Sequence, residues 1–174
     1  MSHRYSDKKV QTIKDLDVVW DYFETQPSSR PYSVYDTILV DDSMHKAARQ
    51  PFNHIGVSEY NLEKRRSDLA TRLLSSHLAA SASYDTTLLA LIGILDELKH
   101  ETNVAKWIKE CQIIPQKLVA DRNELTSTWY EDKAIMQYWT EKGISVAGRL
   151  GIAIEAGVTN RVRRHYDDYH HICS

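Results

Sequence analysis

The sequence predicts an α/β protein: a partial parallel sheet with flanking helices, followed by a mainly helical carboxyl-terminal extension. Three observations predict it. Residues 37–40 (Thr-Ile-Leu-Val) form a charge-free run that stops on Asp41-Asp42-Ser43, as a buried strand does at its carboxyl end. Apolar residues recur at helical spacing on both sides of that run, at Ile13, Leu16, Trp20 and Phe23 before it and at Leu88, Leu91, Ile92, Leu95 and Leu98 after it. Beyond Cys111 the apolar pattern is again helical, with Trp129, Ile135, Tyr138 and Trp139 as its heaviest members.

Composition bounds the rest. At 174 residues, 42% hydrophobic and 26% charged, the chain can bury one sizeable core. A formal charge of −2 offers no basic face for a nucleic acid. Cys111 and Cys173 do not make a disulfide framework, so a reducing, intracellular compartment is expected. No apolar run approaches the ~20 residues of a membrane span. The opening MSHRYSDKKV lacks the apolar segment of a secretory signal.

In chain order, residues 1–9 are polar and read as a flexible terminus. A helix is expected over 10–24, with Lys14 beside its apolar stripe, and residues 26–31, rich in proline and serine, break it. The strand over 37–40 follows. A basic turn containing His45, Lys46 and Arg49 then leads through Gln50-Pro51-Phe52-Asn53 into a second extended run ending at Glu59-Tyr60. Residues 61–68 are charge-rich and pass into an amphipathic helix carrying Leu69, Leu73, Leu74 and Leu78. Asp85 suits the N-cap of the strongest helix, whose leucine face is widened by Leu89 and Ile94 and so is expected to be buried on more than one side. A short helix spans 104–109. Past Cys111 the chain reads as an appendage to this core: Pro115 opens one helical piece, 129–141 forms another, and Gly143 reads as its stop. The expected organisation is therefore a flexible terminus (1–9), a main domain (10–110), a helical extension (111–160) and a polar tail (161–174).

The stretch TILVDDSMHKAARQPFNHIGVSEYN resembles the fourth motif, and its continuation, of haloacid-dehalogenase-type phosphatases of the NLI-interacting-factor-like group, relatives of the RNA polymerase II C-terminal-domain phosphatases. IKDLDVVW resembles that group's Lys-Asp-Leu segment, and TTLLALIGILDELKHETNVAKWI resembles its closing helix, so the likeness covers residues 10–110. The segment with WYEDKAIMQYW and EKG resembles extensions of fungal members. The presequence-receptor subunit of the mitochondrial inner-membrane translocase shares the same domain.

The resemblance implies a magnesium-dependent phosphoprotein (Ser/Thr) phosphatase that works through a phosphoaspartate. It gives Lys14 the part of the lysine that neutralises phosphoryl charge. It makes Asp42 the magnesium ligand, with Asp41 as its partner. The chemistry suits those residue types, since a phosphoryl group needs a cation on its oxygens and magnesium is held by carboxylate oxygen. In the family the nucleophile lies in an Asp-x-Asp-x-Thr/Val signature far upstream of the lysine segment, and no such signature stands in residues 1–10. One literal match, Asp15-Leu16-Asp17-Val18-Val19, has no apolar strand before it and reads as helix. The expectation is the C-terminal half of a phosphatase domain, inactive alone. Its alternative is a non-catalytic binding module on the same scaffold, as in the presequence receptor. The partner would be a phosphoprotein substrate or another protein, with no nucleic acid and no membrane span. A nuclear, cytoplasmic or mitochondrial location follows from the resemblance alone.

Plainer readings compete at each site. Asp-Asp-Ser can simply end a strand in a turn, and an isolated lysine near a helix start is usually solvated; the flanking likeness is what raises both. Two carboxylates alone hold magnesium poorly, because that ion dehydrates reluctantly. His45 and His54 read as loop histidines. The His, Asp and Cys residues of the tail lack the two separated ligand pairs of a structural zinc site. Trp129, Tyr138 and Trp139 read as the packing face of the extension, or as a docking patch if that face is exposed.

Overall fold

The computed structural model describes residues 12–26, 31–74, 84–118 and 128–154, the side chains of 73 and 74 excepted. The expected flexible terminus, residues 27–30 of the helix-breaking loop, Leu78 with the small-residue run after it, and the polar tail lie outside them.

The strand run becomes β1 (Leu39–Asp41), which pairs in parallel with β2 (His54–Gly56) in the register Leu39↔His54, Val40↔Ile55 and Asp41↔Gly56. A parallel return requires a crossover. Here it is made by two 3-10 turns, Met44–Ala47 and Pro51–Asn53, the second opened by its proline. β1 starts two residues later than the apolar run predicts. Asn53 is the reason: its buried amide donates to the carbonyls of Val34 and Thr37 at 2.7 and 2.8 Å, taking Thr37 out of the strand ladder. Among the described residues the sheet has these two strands, and the larger sheet of the expected fold class is not seen there.

Helix α1 (Leu16–Glu24) begins six residues later than its periodicity suggests, because the Asp15 carboxylate accepts from the Asp17 N–H and caps it. Lys14 thus precedes the helix instead of riding on it, and Ile13 is exposed rather than part of the apolar stripe. α2 (Leu62–Leu74) is amphipathic but shallowly seated, with Leu69 exposed. α3 (Thr87–Leu98) takes its first free N–H, that of Thr87, to Asp85 Oδ1 at 2.8 Å. The expected acidic cap therefore acts from one residue further out. α4 (Val104–Lys109) is capped by Asn103 and its start is anchored to the loop before β1 by a 2.9 Å bond from the Val104 N–H to the Tyr35 carbonyl.

α5 (Lys133–Arg149), capped by Asp132, runs straight through Gly143. The expected stop there is wrong. The stop is Gly151, which takes φ +69° while its N–H and that of Ile152 satisfy the carbonyls of Gly148 and Ala147. Gly143 serves a different purpose. A Cβ on it would overlap the Leu89 carbonyl, and one on Gly93 would overlap the Trp139 carbonyl, so the two glycines let α3 and α5 cross backbone to backbone.

That crossing overturns the expectation of an appendage. Trp129, Ile135 and Trp139 belong to the same buried cluster as Ile55 of β2, Ile94 of α3 and Trp107 of α4. It also corrects the buried face of α3, which is Thr87, Ala90, Gly93, Ile94 and Leu98. Leu88 and Leu95, expected inside, are 74% and 40% exposed. Among the described residues no helix is long and apolar enough to cross a membrane.

Candidate functional site

The carboxyl end of β1 is built by three short segments. β1 delivers Asp41 with only 4% of its side chain exposed. The residues before α1 deliver Lys14, whose N–H donates to the Lys46 carbonyl at 2.7 Å and whose ammonium pairs with Asp41 Oδ2. The first 3-10 turn delivers Lys46, with its ammonium 3.4 Å from Asp41 Oδ1 and 3.4 Å from Asp42 Oδ1. Gln50 locks the segments together. Its carbonyl oxygen accepts from the Leu16 N–H at 3.1 Å and its amide donates to Asp15, which also pairs with Arg49.

Lys14 and Asp41, expected from sequence to share a site, are therefore in direct contact across 27 positions of sequence. Asp42 stands beside them but points into solvent, touching Lys46. Asp15 and Asp17, the literal match to a nucleophile signature, are the cap and first turn of α1. The Lys14 ammonium holds the Asp41 carboxyl well below the usual carboxylate range, the Ser43 N–H at 2.9 Å adds to this, and burial opposes it. Asp41 and then Asp42 raise the Lys46 ammonium above the ordinary lysine value.

Periodicity and likeness missed two members of this corner. His54 is not a loop histidine: it opens β2, is buried, and sets Nε2 3.1 Å from the Asp41 carbonyl oxygen. Lys46 was visible only as part of a basic turn. His45 lies on the first 3-10 turn and is exposed.

The acidic pair was expected to hold magnesium. As arranged, it is not an open cation site. Both oxygens of Asp41 are engaged, by Lys14 on one side and by Lys46 and the Ser43 N–H on the other, and Asp42 faces Lys46. Among the described residues no three His, Cys, Asp or Glu side chains converge as metal ligands. Magnesium prefers six oxygens in near-octahedral geometry, and two carboxylates already committed to ammonium groups do not supply them.

Residues 1–105 match the family of NLI interacting factor-like phosphatases. The chain belongs to this family. It is also 34% identical over 137 residues to an uncharacterized FCP1 homology domain-containing protein of Schizosaccharomyces pombe, an alignment covering 78% of this chain and 49% of that protein. The chain thus spans about half the length of the curated relative it matches. A stretch that long within 174 residues must include residues 39–136, so this likeness runs past the family match and takes in Trp129. No solved structure matches the chain at a significant level. Family membership supports a phosphatase-like domain over the matched residues.

Proposed function

We propose that this chain supplies the phosphoryl-binding half of a phosphoprotein phosphatase site and does not turn over phosphate esters by itself. The single observation that carries this reading is the contact between Lys14 and Asp41 at the carboxyl end of a parallel strand. That end of an α/β sheet is where ligands approach. The Lys14 side chain is 46% exposed, so its ammonium can leave Asp41 for a phosphoryl oxygen without an element having to move. Lys46 keeps Asp41 paired when it does.

The same geometry supports inactivity. In-line attack on phosphorus needs a carboxylate free of other partners and facing the phosphoryl group. Asp41 is held by two ammonium groups and a backbone N–H, and Asp15 is spent on capping α1 and on Arg49. Asp42 faces Lys46 from an exposed turn with nothing to aim it. Magnesium, implied by the family likeness, would have to draw oxygen donors from beyond these residues.

Incubation with p-nitrophenyl phosphate and magnesium is expected to give no turnover above that of Lys14→Ala. Turnover abolished by Lys14→Ala or Asp42→Asn would overturn the claim of inactivity. Binding of a phosphoserine peptide, followed by calorimetry, is expected to weaken at least about tenfold in Lys14→Ala, the loss of one charge-assisted contact.

A second reading, a binding module on the same scaffold, is favoured by one feature. α1 and the loop before β1 enclose a groove of about 280 Å³ lined by Val19, Phe23, Tyr32 and Ile38. Val18, Tyr22 and Tyr35 add exposed apolar surface on the same two segments. Of the alternative patch on Trp129, Tyr138 and Trp139, the two tryptophans are buried and Tyr138 is half-buried, which favours its reading as a packing face.

A further inference from the structure

The Lys46 ammonium stands 3.4 Å from Oδ1 of Asp41 and 3.4 Å from Oδ1 of Asp42. Those are the oxygens a bridging cation would use, because Oδ2 of Asp41 belongs to Lys14. A hard divalent ion needs its oxygens at about 2.1 Å, so to bridge the pair it would compete for the same two oxygens that face the ammonium. Charge points the same way. Two carboxylates already face two ammonium groups, so an added divalent ion would leave the corner with an excess of positive charge.

The turn presents Lys46 in this position by its backbone. Its N–H donates to the Ser43 carbonyl at 3.1 Å, and its carbonyl accepts from Lys14 at 2.7 Å. Asp42 lies four residues before it, within reach of the long side chain. The side chain itself is 39% exposed, so the ammonium can exchange into water while the backbone stays clamped.

We propose that Lys46 is the resident cation of the Asp41–Asp42 pair, so that its docking and the binding of a divalent cation there exclude one another. The proposal rests on the phosphatase-half reading only in taking this pair as the acidic element of the site. Its test involves no turnover and no phosphoryl ligand, so the two can fail separately. The consequence is a corner that is charge-balanced without metal and that admits a divalent ion only once a lysine has been drawn away.

Manganese alone serves as the probe, followed by its electron paramagnetic resonance signal on the full chain. Wild type is expected to leave manganese free at millimolar concentration. Lys46→Gln and Lys46→Met, which keep the backbone clamp, are expected to bind it at least about tenfold more tightly than wild type. Lys46→Arg, which keeps the charge, should behave as wild type, and adding Asp42→Asn to Lys46→Gln should remove the gain. Circular dichroism on each variant establishes that it is folded. If one neutral variant fails to fold, the other carries the test, and Lys46→Arg against wild type still reads the role of charge. Tight manganese binding by wild type overturns the proposal. So does the absence of any gain in a folded neutral variant, or a gain in Lys46→Arg equal to that in Lys46→Gln.

Discussion

At the crossing of α3 and α5, Gly93 and Gly143 let two backbones touch, and Ile94, Ile135 and Trp139 close around them, while the Lys142–Glu97 and Arg149–Asp96 ion pairs join the two helices at the exposed rim. At the carboxyl end of β1, three segments meet through Lys14, Lys46, Asp41 and Asp42, and the side chains that bond around them are polar: His54 to the Asp41 carbonyl, and Gln50 to Leu16 and Asp15. Volume governs the first region, so it should tolerate changes of pH and fail when a methyl is added or an indole removed. Charge governs the second, so it should respond to protonation and to isosteric substitutions that remove a charge. The difference also locates the two kinds of work. The crossing holds the fold, while the corner keeps side chains that can exchange partners.

The largest expected effect tests whether the carboxyl-terminal segment is integral. Trp139→Ala removes a side chain that fills the shared core and donates from Nε1 to the Ile113 carbonyl at 2.7 Å. It should lose about 3–5 kcal/mol in denaturant unfolding. Unfolding should remain one transition, because Trp139 shares its core with Ile55 and Trp107. Two separated transitions would restore the picture of an appended helix.

Gly143→Ala is next. Helix propensity favours alanine by about 1 kcal/mol, yet the new methyl overlaps the Leu89 carbonyl and must push α5 off α3. A net loss of roughly 2 kcal/mol is expected. A gain in stability would mean the helices do not touch at this point.

Asp41→Asn probes the other region. At pH 6 it should lose about 1–2 kcal/mol, discounted because both partner lysines are partly exposed. The sign with pH follows from the depressed carboxyl. Its contribution is fully present above the unfolded value of about 3.9 and is lost as pH falls through the lower folded value. Wild type should therefore weaken below about pH 4, with Asp85, also lowered by its Thr87 and Lys64 bonds against burial, adding to the slope. Asp41→Asn should be flatter across that window. Identical acid profiles would show that the Lys14–Asp41 pair contributes nothing.

The smallest effect sharpens the boundary of the core. Leu88→Ser on the exposed side of α3 should change stability by no more than about 0.5 kcal/mol, whereas Ile94→Ala on the buried side should cost about 2–5.

What the amino-acid sequence determined by itself was local. The strand ending on Asp41 and the short helix over 104–109 were legible, because charge placement and apolar pattern act over short stretches, and only the family likeness set Lys14 beside Asp41 across 27 positions. Tertiary structure decided which face of each helix was used. On α3, Leu88 and Leu95 are exposed while Ala90 and Gly93 are buried beside Ile94 and Leu98, because the α5 backbone can come close only over small residues. The same close approach turned Gly143 from an expected stop into a contact and drew the tryptophans of the extension into the main core. At the site, Lys46 and His54 took their places only when a parallel crossover brought the first 3-10 turn over the end of β1. No periodicity encodes that, since the partners of a buried carboxylate are set by which segments the fold places around it.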